Sequence, residues 1–308
     1  MINPAGLSYI QQFEIEPVYQ FAVRDRTHGL GFFFSDSLNN PRFALALGYT
    51  FMRGAPKLGF TDSDGNAATV ELEHFGHEMS GVLSIAAIRN WLYIGVKPKW
   101  QYTSLRYLDT EGSVQDARPE HTAFGIDVAL SLNLTNFARV AVVAENLAGN
   151  DAPAWTESAP IDLVGIATEE GTRIDHDNLR RVADYPLRVA HGLSVFPLGH
   201  PDLSLNFDGT YDFSSFKDQD KVRMTFGGSG EFVAKGIPIR LGGYWDSRGT
   251  GAKDDRGYVS GGLGFIRSAQ KGGAGIDLAA SFSQQVTGTG PLDTIISFSL
   301  GMRLRPDL

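Results

Sequence analysis

Residues 43–51 read Phe43-Ala44-Leu45-Ala46-Leu47-Gly48-Tyr49-Thr50-Phe51, with large apolar side chains at the odd positions and small or polar ones at the even positions. A β-strand sends successive side chains to opposite faces, so this run predicts a strand with one greasy side and one wet side. The same partition recurs along the chain. Phe124, Ile126, Val128, Leu130 and Leu132 oppose Gly125, Asp127, Ala129, Ser131 and Asn133. Leu203, Leu205, Phe207, Tyr211 and Phe213 oppose Ser204, Asn206, Asp208, Thr210 and Asp212. Ile237, Ile239, Leu241 and Trp245 oppose Pro238, Arg240, Gly242 and Asp246, and Ile296 to Leu304 repeats the pattern near the C-terminus.

About fourteen such segments can be marked, each roughly 9 to 13 residues, which suits tilted strands crossing a bilayer better than the shorter strands of soluble sheets. The predicted spans are 15–24, 29–37, 42–53, 69–88, 91–108, 122–133, 138–147, 186–196, 202–213, 221–233, 237–246, 257–267, 274–285 and 294–305. The span 69–88 is too long for one simple crossing, so either a bend at Gly76 or Gly81 or a projection beyond the membrane is expected there. Short links at 38–41, 89–90, 134–137, 197–201, 234–236 and 268–273 alternate with longer ones at 54–68, 109–121, 148–185, 247–256 and 286–293. That is the rhythm of an outer-membrane barrel, whose periplasmic turns are short and whose external loops are longer. With an even number of strands, both termini fall on the short-link side. A soluble propeller is the competing all-β architecture, but its repeat of about 40 to 50 residues is not found.

Composition narrows the classes further. The chain has 36 glycines and no cysteine in 308 residues, and 27 Lys and Arg against 35 Asp and Glu give a net charge of −8. Apolar stretches such as Gly81 to Ile88 fall short of the roughly 18 to 20 residues of a membrane-spanning helix. The negative balance gives no attraction to nucleic acid. Without cysteine there are no disulfides, thiolate metal sites or Cys nucleophiles. No cofactor is called for, and an enzymatic role is not expected.

On this register the inward positions carry Asp127, Arg188, Asp208, Asp212, Arg223, Arg240, Asp277, Arg303 and Arg305. Charges of both signs confined to one parity fit a water-facing lumen, since each would cost a few kcal/mol on the lipid face. They either pair across the lumen and brace the wall or line a polar channel. The remaining inward residues are mostly small, which predicts a narrow lumen. Thr61-Asp62-Ser63-Asp64-Gly65-Asn66, with Glu73 beyond, has oxygen ligands but places its glycine two positions early for a calcium loop, so an acidic loop tip is expected. Glu73-His74-Phe75-Gly76-His77-Glu78 resembles a metal cluster, yet in a strand His74 and His77 point to opposite faces. His176, between Asp175 and Asp177, has no identifiable catalytic partners. Loop 148–185, with Trp155 and the apolar run Ile161 to Ala167, either caps the external mouth or binds an apolar ligand or partner.

Asn3-Pro4-Ala5-Gly6-Leu7 followed by an alternating strand resembles the start of the barrel region in the long-chain fatty acid transporter (FadL-like) superfamily, which includes the PorV-type barrels of secretion systems. Asn146-Leu147-Ala148-Gly149 closing one strand and Tyr185-Pro186-Leu187-Arg188-Val189 opening the next extend the likeness. The resemblance implies a Gram-negative outer-membrane barrel at 14–308 with an N-terminal hatch at 1–13. Asn3, Pro4 and Ala5 would then be hatch residues held by hydrogen bonds to lumen polar groups, and ligands would leave sideways through the wall. A leader and further plug residues are expected ahead of the motif. The short external loops and the ending Leu304-Arg305-Pro306-Asp307-Leu308, without a terminal aromatic, depart from the pattern. Two functions follow from the resemblance. One is passage of a hydrophobic or amphipathic small molecule; the other is a non-conducting scaffold in a multiprotein envelope machine, docking through loops 54–68 and 148–185. Outer-membrane lipid is the expected surrounding in either case.

Overall fold

The computed structural model describes residues 3–9, 12–23, 26–37, 40, 42–55, 57–61, 67–108, 120–148, 187–213, 222–247, 255–267, 273–288 and 292–304. A 3-10 turn, Pro4–Tyr9, precedes fifteen strands. These are β1 (Phe13–Ala22), β2 (Thr27–Asp36), β3 (Phe43–Gly54), β4 (Lys57–Thr61), β5 (Ala67–Ile88), β6 (Leu92–Leu108), β7 (Glu120–Thr135) and β8 (Ala138–Glu145). There follow β9 (Arg188–Val195), β10 (Leu203–Asp212), β11 (Arg223–Ala234), β12 (Ile237–Ser247), β13 (Arg256–Arg267), β14 (Ala274–Thr287) and β15 (Thr294–Leu304). Every neighbouring pair is antiparallel. β1 pairs with β15, and β3 pairs directly with β5, so the sheet closes on itself as a barrel of fourteen strands.

β4 is the strand left over. It pairs only with the outer end of β5 (Lys57 opposite Glu71, Thr61 opposite Ala67), forming a hairpin above the wall. This accounts for the long span expected at 69–88, because β5 is one continuous strand of 22 residues that projects past β3 rather than bending at Gly76 or Gly81. Closing a sheet in this way removes its edges, so that most backbone groups of the strands find a partner in the neighbouring strand.

The two faces divide as the alternation requires. Leu47, Phe124 and Leu241 on the outside are 65%, 68% and 69% exposed, whereas Asp127 inside is 1% exposed. A ring of large, bare apolar side chains on the outside of a closed wall suits hydrocarbon and not water. The tight links lie at one end. Lys235 and Gly236 both have positive φ (51° and 81°), as a two-residue type I′ hairpin needs, and Asn90 (φ 65°) turns the β5–β6 link. No helix among the described residues is long and apolar enough to cross a membrane.

Candidate functional site

The N-terminal segment lies inside the barrel, against β3, β5, β6 and β7. Asn3 organises it locally. Its Oδ1 accepts the Ala5 amide at 2.9 Å and its carbonyl accepts the Gly6 amide at 3.0 Å, closing the turn in which Pro4 and Ala5 are buried. Gly95 on β6 makes room for it. A Cβ there would stand 2.3 Å from the Pro4 carbonyl carbon and 2.4 Å from the Ala5 nitrogen, so only glycine admits this close backbone approach. From β5, Ser84 Oγ donates to the Ala5 carbonyl at 3.2 Å and meets Ser8 Oγ at 2.8 Å. Tyr9 ends the segment. Its hydroxyl hydrogen-bonds Ser131 on β7, its ring lies 4.1 Å from that of Tyr93, and the Arg139 guanidinium of β8 stacks 3.9 Å above it. Burial pushes the Tyr9 phenol above its ordinary range, with the Ser131 bond and the Arg139 charge pulling the other way.

The inward charges largely pair. Arg188 Nε donates to Asp212 at 3.0 Å, and Arg223 grips Asp246 through two bonds at 3.0 and 2.8 Å. Arg240 is bonded to Glu231, while Arg303 bridges Glu14 at 2.7 Å and Asp277 at 3.0 Å. Asp127 is the most enclosed. It takes Lys99 Nζ at 2.8 Å and the Asn146 amide at 2.9 Å, with Lys97 at 3.9 Å. Lys97 also meets Glu78 at 2.6 Å, whose second oxygen accepts Gln101 at 2.9 Å. Asp208 belongs to no ion pair among the described residues and stands beside Gly227. Of the inward charges named from sequence, Asp127, Arg188, Asp212, Arg223, Arg240, Asp277 and Arg303 take part in these pairs; the partners Lys97, Lys99, Glu14, Glu78 and Glu231, on the same parity of their strands, are not among those named, and Asp246 is placed on the wet face but not as a partner.

Other candidates separate. Tyr49 at 2.8 Å and the rings of Phe51 and Tyr102 surround His77 on the outer face, while His74 is buried on the inner one. Glu73 accepts Arg53 Nε at 2.9 Å. No cluster of three metal-ligating side chains occurs among the described residues. Asp62 to Asn66, the Asp175-His176-Asp177 run, Arg305, and loop 148–185 except its first residue lie outside the described residues.

Among the described residues, ladder pairing lapses in the middle of the wall at two places. Between β5 and β6, pairing lapses where Gly81–Val82 face Lys97–Pro98, and open space surrounds the Gly81 Cα. Proline has no amide hydrogen to contribute to a ladder. Outside this point lies an apolar hollow of about 840 Å³ among Phe34, Leu47, Met79, Gly81, Trp100 and Phe124. Just inside it, on the next rungs toward the short links, are Ser84 and Gly95, the seat of the N-terminal segment. A second lapse occurs between β1 and β15 at Pro17, beside a hollow of about 610 Å³.

No family model matches the chain, and no curated protein matches it by sequence. Solved structures do match over nearly the whole length. A Pseudomonas aeruginosa FadL homologue superposes with a TM-score of 0.63 at 14% identity, covering 98% of this chain and 92% of that one. The monoaromatic hydrocarbon channel CymD gives 0.61 at 13% identity, covering 99% and 91%. The Ralstonia pickettii toluene transporter TbuX gives 0.59 at 13% identity, covering 98% and 92%. Fourteen antiparallel strands closed around an inward N-terminal segment are therefore the fold that this chain shares with FadL-type outer-membrane channels.

Proposed function

We propose that the protein sits in the Gram-negative outer membrane and passes a hydrophobic or amphipathic small molecule through its wall, with residues 1–13 as the hatch. The observation that carries this reading is the juxtaposition at β5 and β6. Ladder pairing lapses at Gly81 and Pro98, an apolar hollow lies outside the lapse, and the Ala5–Ser84 contact of the hatch lies a few residues away inside. A solute that unseats the hatch gains a short path to the bilayer, where an apolar body is stabilised by leaving water. The FadL homologue, CymD and TbuX, two of them named for aromatic hydrocarbons, lend the reading support as structural neighbours.

The test is entry of a fluorescent long-chain fatty acid and of toluene into cells lacking other such channels, with Gly81→Leu and Gly81→Phe filling the hollow. Flux should rise several-fold above vector-only cells and fall again in the filled variants. Flux at the vector level would refute passage.

A second reading, a closed scaffold within an envelope assembly, draws on the paired inward charges, which tie neighbouring strands along the wall rather than across the lumen and so stiffen it. Of its docking loops, 54–68 contains the β4 strand and its pairing with β5, and 148–185 beyond its first residue lies outside the described residues. It predicts no flux but co-purification of stoichiometric envelope proteins after mild extraction.

A further inference from the structure

Among the described residues the N-terminal segment packs chiefly against β3, β5, β6 and β7 and lies on one side of the lumen, away from the inner face of β10–β14. Following paired residues across that face from Arg139 gives a single cross-strand row. Arg139 is opposite Ser194, Ser194 opposite Asn206, Asn206 opposite Ser229, and beyond Gly242 comes Ser260 opposite Ser283. Because barrel strands tilt, a row perpendicular to them climbs the wall. This one starts near the short-link end of β8 and finishes near the opposite end of β14. The row borders a cavity of about 530 Å³, within the size range of small-molecule sites. Hydroxyl and amide groups dominate this wall, and its one carboxylate, Glu231, is already tied to Arg240.

Arg139 stands at the foot of the cavity beside two aromatic rings. The guanidinium carbon lies 3.9 Å from the Tyr9 ring centre and 5.6 Å from that of Phe196, and Nε donates to Asn133 at 2.9 Å. No carboxylate pairs with it among the described residues. Stacking on Tyr9 and the Nε bond to Asn133 leave the two terminal NH2 groups of the planar fork, whose donors match the oxygens of an oxyanion. We propose that this cavity binds a small organic oxyanion rich in hydroxyl groups, its charge on Arg139 and its hydroxyls on Ser194, Asn206 and Ser229, the positions next along the row. A pure hydrocarbon leaves all these groups unpaired and is disfavoured here. The site concerns binding alone and stands whether or not the wall conducts.

The experiment is calorimetric titration of the full chain in lipid nanodiscs with gluconate, and in parallel with sorbitol, octanoate and inorganic phosphate. Gluconate should bind saturably. Sorbitol, which lacks the charge, octanoate, which lacks the hydroxyls, and phosphate, which lacks the organic body, should each bind at least tenfold more weakly. Arg139→Gln should weaken gluconate at least tenfold. Because Arg139 also touches Tyr9, the double variant Asn206→Ala/Ser229→Ala, on strands that do not pack on the N-terminal segment, provides a second arm with an expected loss of several-fold. Absent gluconate binding, equal binding of any comparison solute, or unchanged affinity in either variant overturns the proposal. Failure of Gly81-dependent flux bears only on passage, so the two claims fail separately.

Discussion

Replacing Gly95 by alanine tests whether the N-terminal segment is a seated plug. The new methyl would meet Pro4 C at 2.3 Å, Ala5 N at 2.4 Å and Pro4 O at 2.6 Å. All three are backbone atoms that cannot rotate away, and ordinary contact needs more than an ångström of extra room. Overpacking of this kind costs about 1–3 kcal/mol. At about 1.4 kcal/mol per factor of ten, the unseated population should rise roughly 5- to 150-fold. Opposing it are the Ser84–Ala5 and Ser8–Ser84 bonds, the Tyr9–Ser131 bond and the stacking of Tyr9 on Tyr93 under Arg139. The assay exploits the absence of native cysteine and the complete burial of Ser84. In a Ser84→Cys background, the alkylation rate by a water-soluble maleimide reports departure of the plug, since a thiol under Ala5 cannot react while covered. Gly95→Ala should accelerate labelling within that range while leaving the compact gel mobility of the folded barrel intact. Gly81→Ala, where nothing lies within 4 Å of the added atom, is the control and should leave the rate unchanged. Equal rates in the Gly95→Ala and parent proteins would refute the seat.

Asp127→Ala leaves Lys99 enclosed without its partner and should destabilise the barrel by about 3–5 kcal/mol, read as an earlier loss of compact gel mobility on heating. Lys99→Met/Asp127→Leu should recover part of that loss, the remainder reflecting the orphaned Asn146 amide. Phe298→Arg, near the middle of β15 on the outer face, should cost about 2–4 kcal/mol in refolding into lipid vesicles, whereas Asp208→Asn in the lumen should refold like the parent. Spin labels at Leu45 and Leu205 should be relaxed by oxygen, which partitions into lipid, whereas a label at Asp208 should respond to a water-soluble nickel reagent. Aqueous surroundings at both outer sites would invert the wall.

The wall was legible because a period of two is a local property of the chain. Phe43 to Phe51 and Phe124 to Leu132 announce their outer face without reference to any neighbour, and closure then leaves little choice of topology. The β4 hairpin was not legible. Lys57-Leu58-Gly59-Phe60-Thr61 is too short for parity to stand out, and pairing with β5 alone makes it a strand. In the lumen the sequence yields which charges face inward but not which meet. Arg223 finds Asp246 through strand register, a non-local quantity, and Arg139 is merely the first inward residue of its strand. Gly95 carries no local mark at all. Its need to be glycine arises from a segment about 90 positions earlier in the chain, resting against it only after the barrel has formed.

Pro17 and Pro98 have a mechanical consequence. The two lapses they mark divide the hoop into a panel of four staves, β1, β2, β3 and β5, and another of ten. A hoop weakened at two places responds to squeezing by flexing there, so its cross-section becomes oval before any stave is torn free. Lateral load on the wall would then move the smaller panel against the larger at these two seams. Three strands of that panel, β1, β2 and β3, also follow directly from the N-terminal segment, so a pull on that segment would be borne by the same staves.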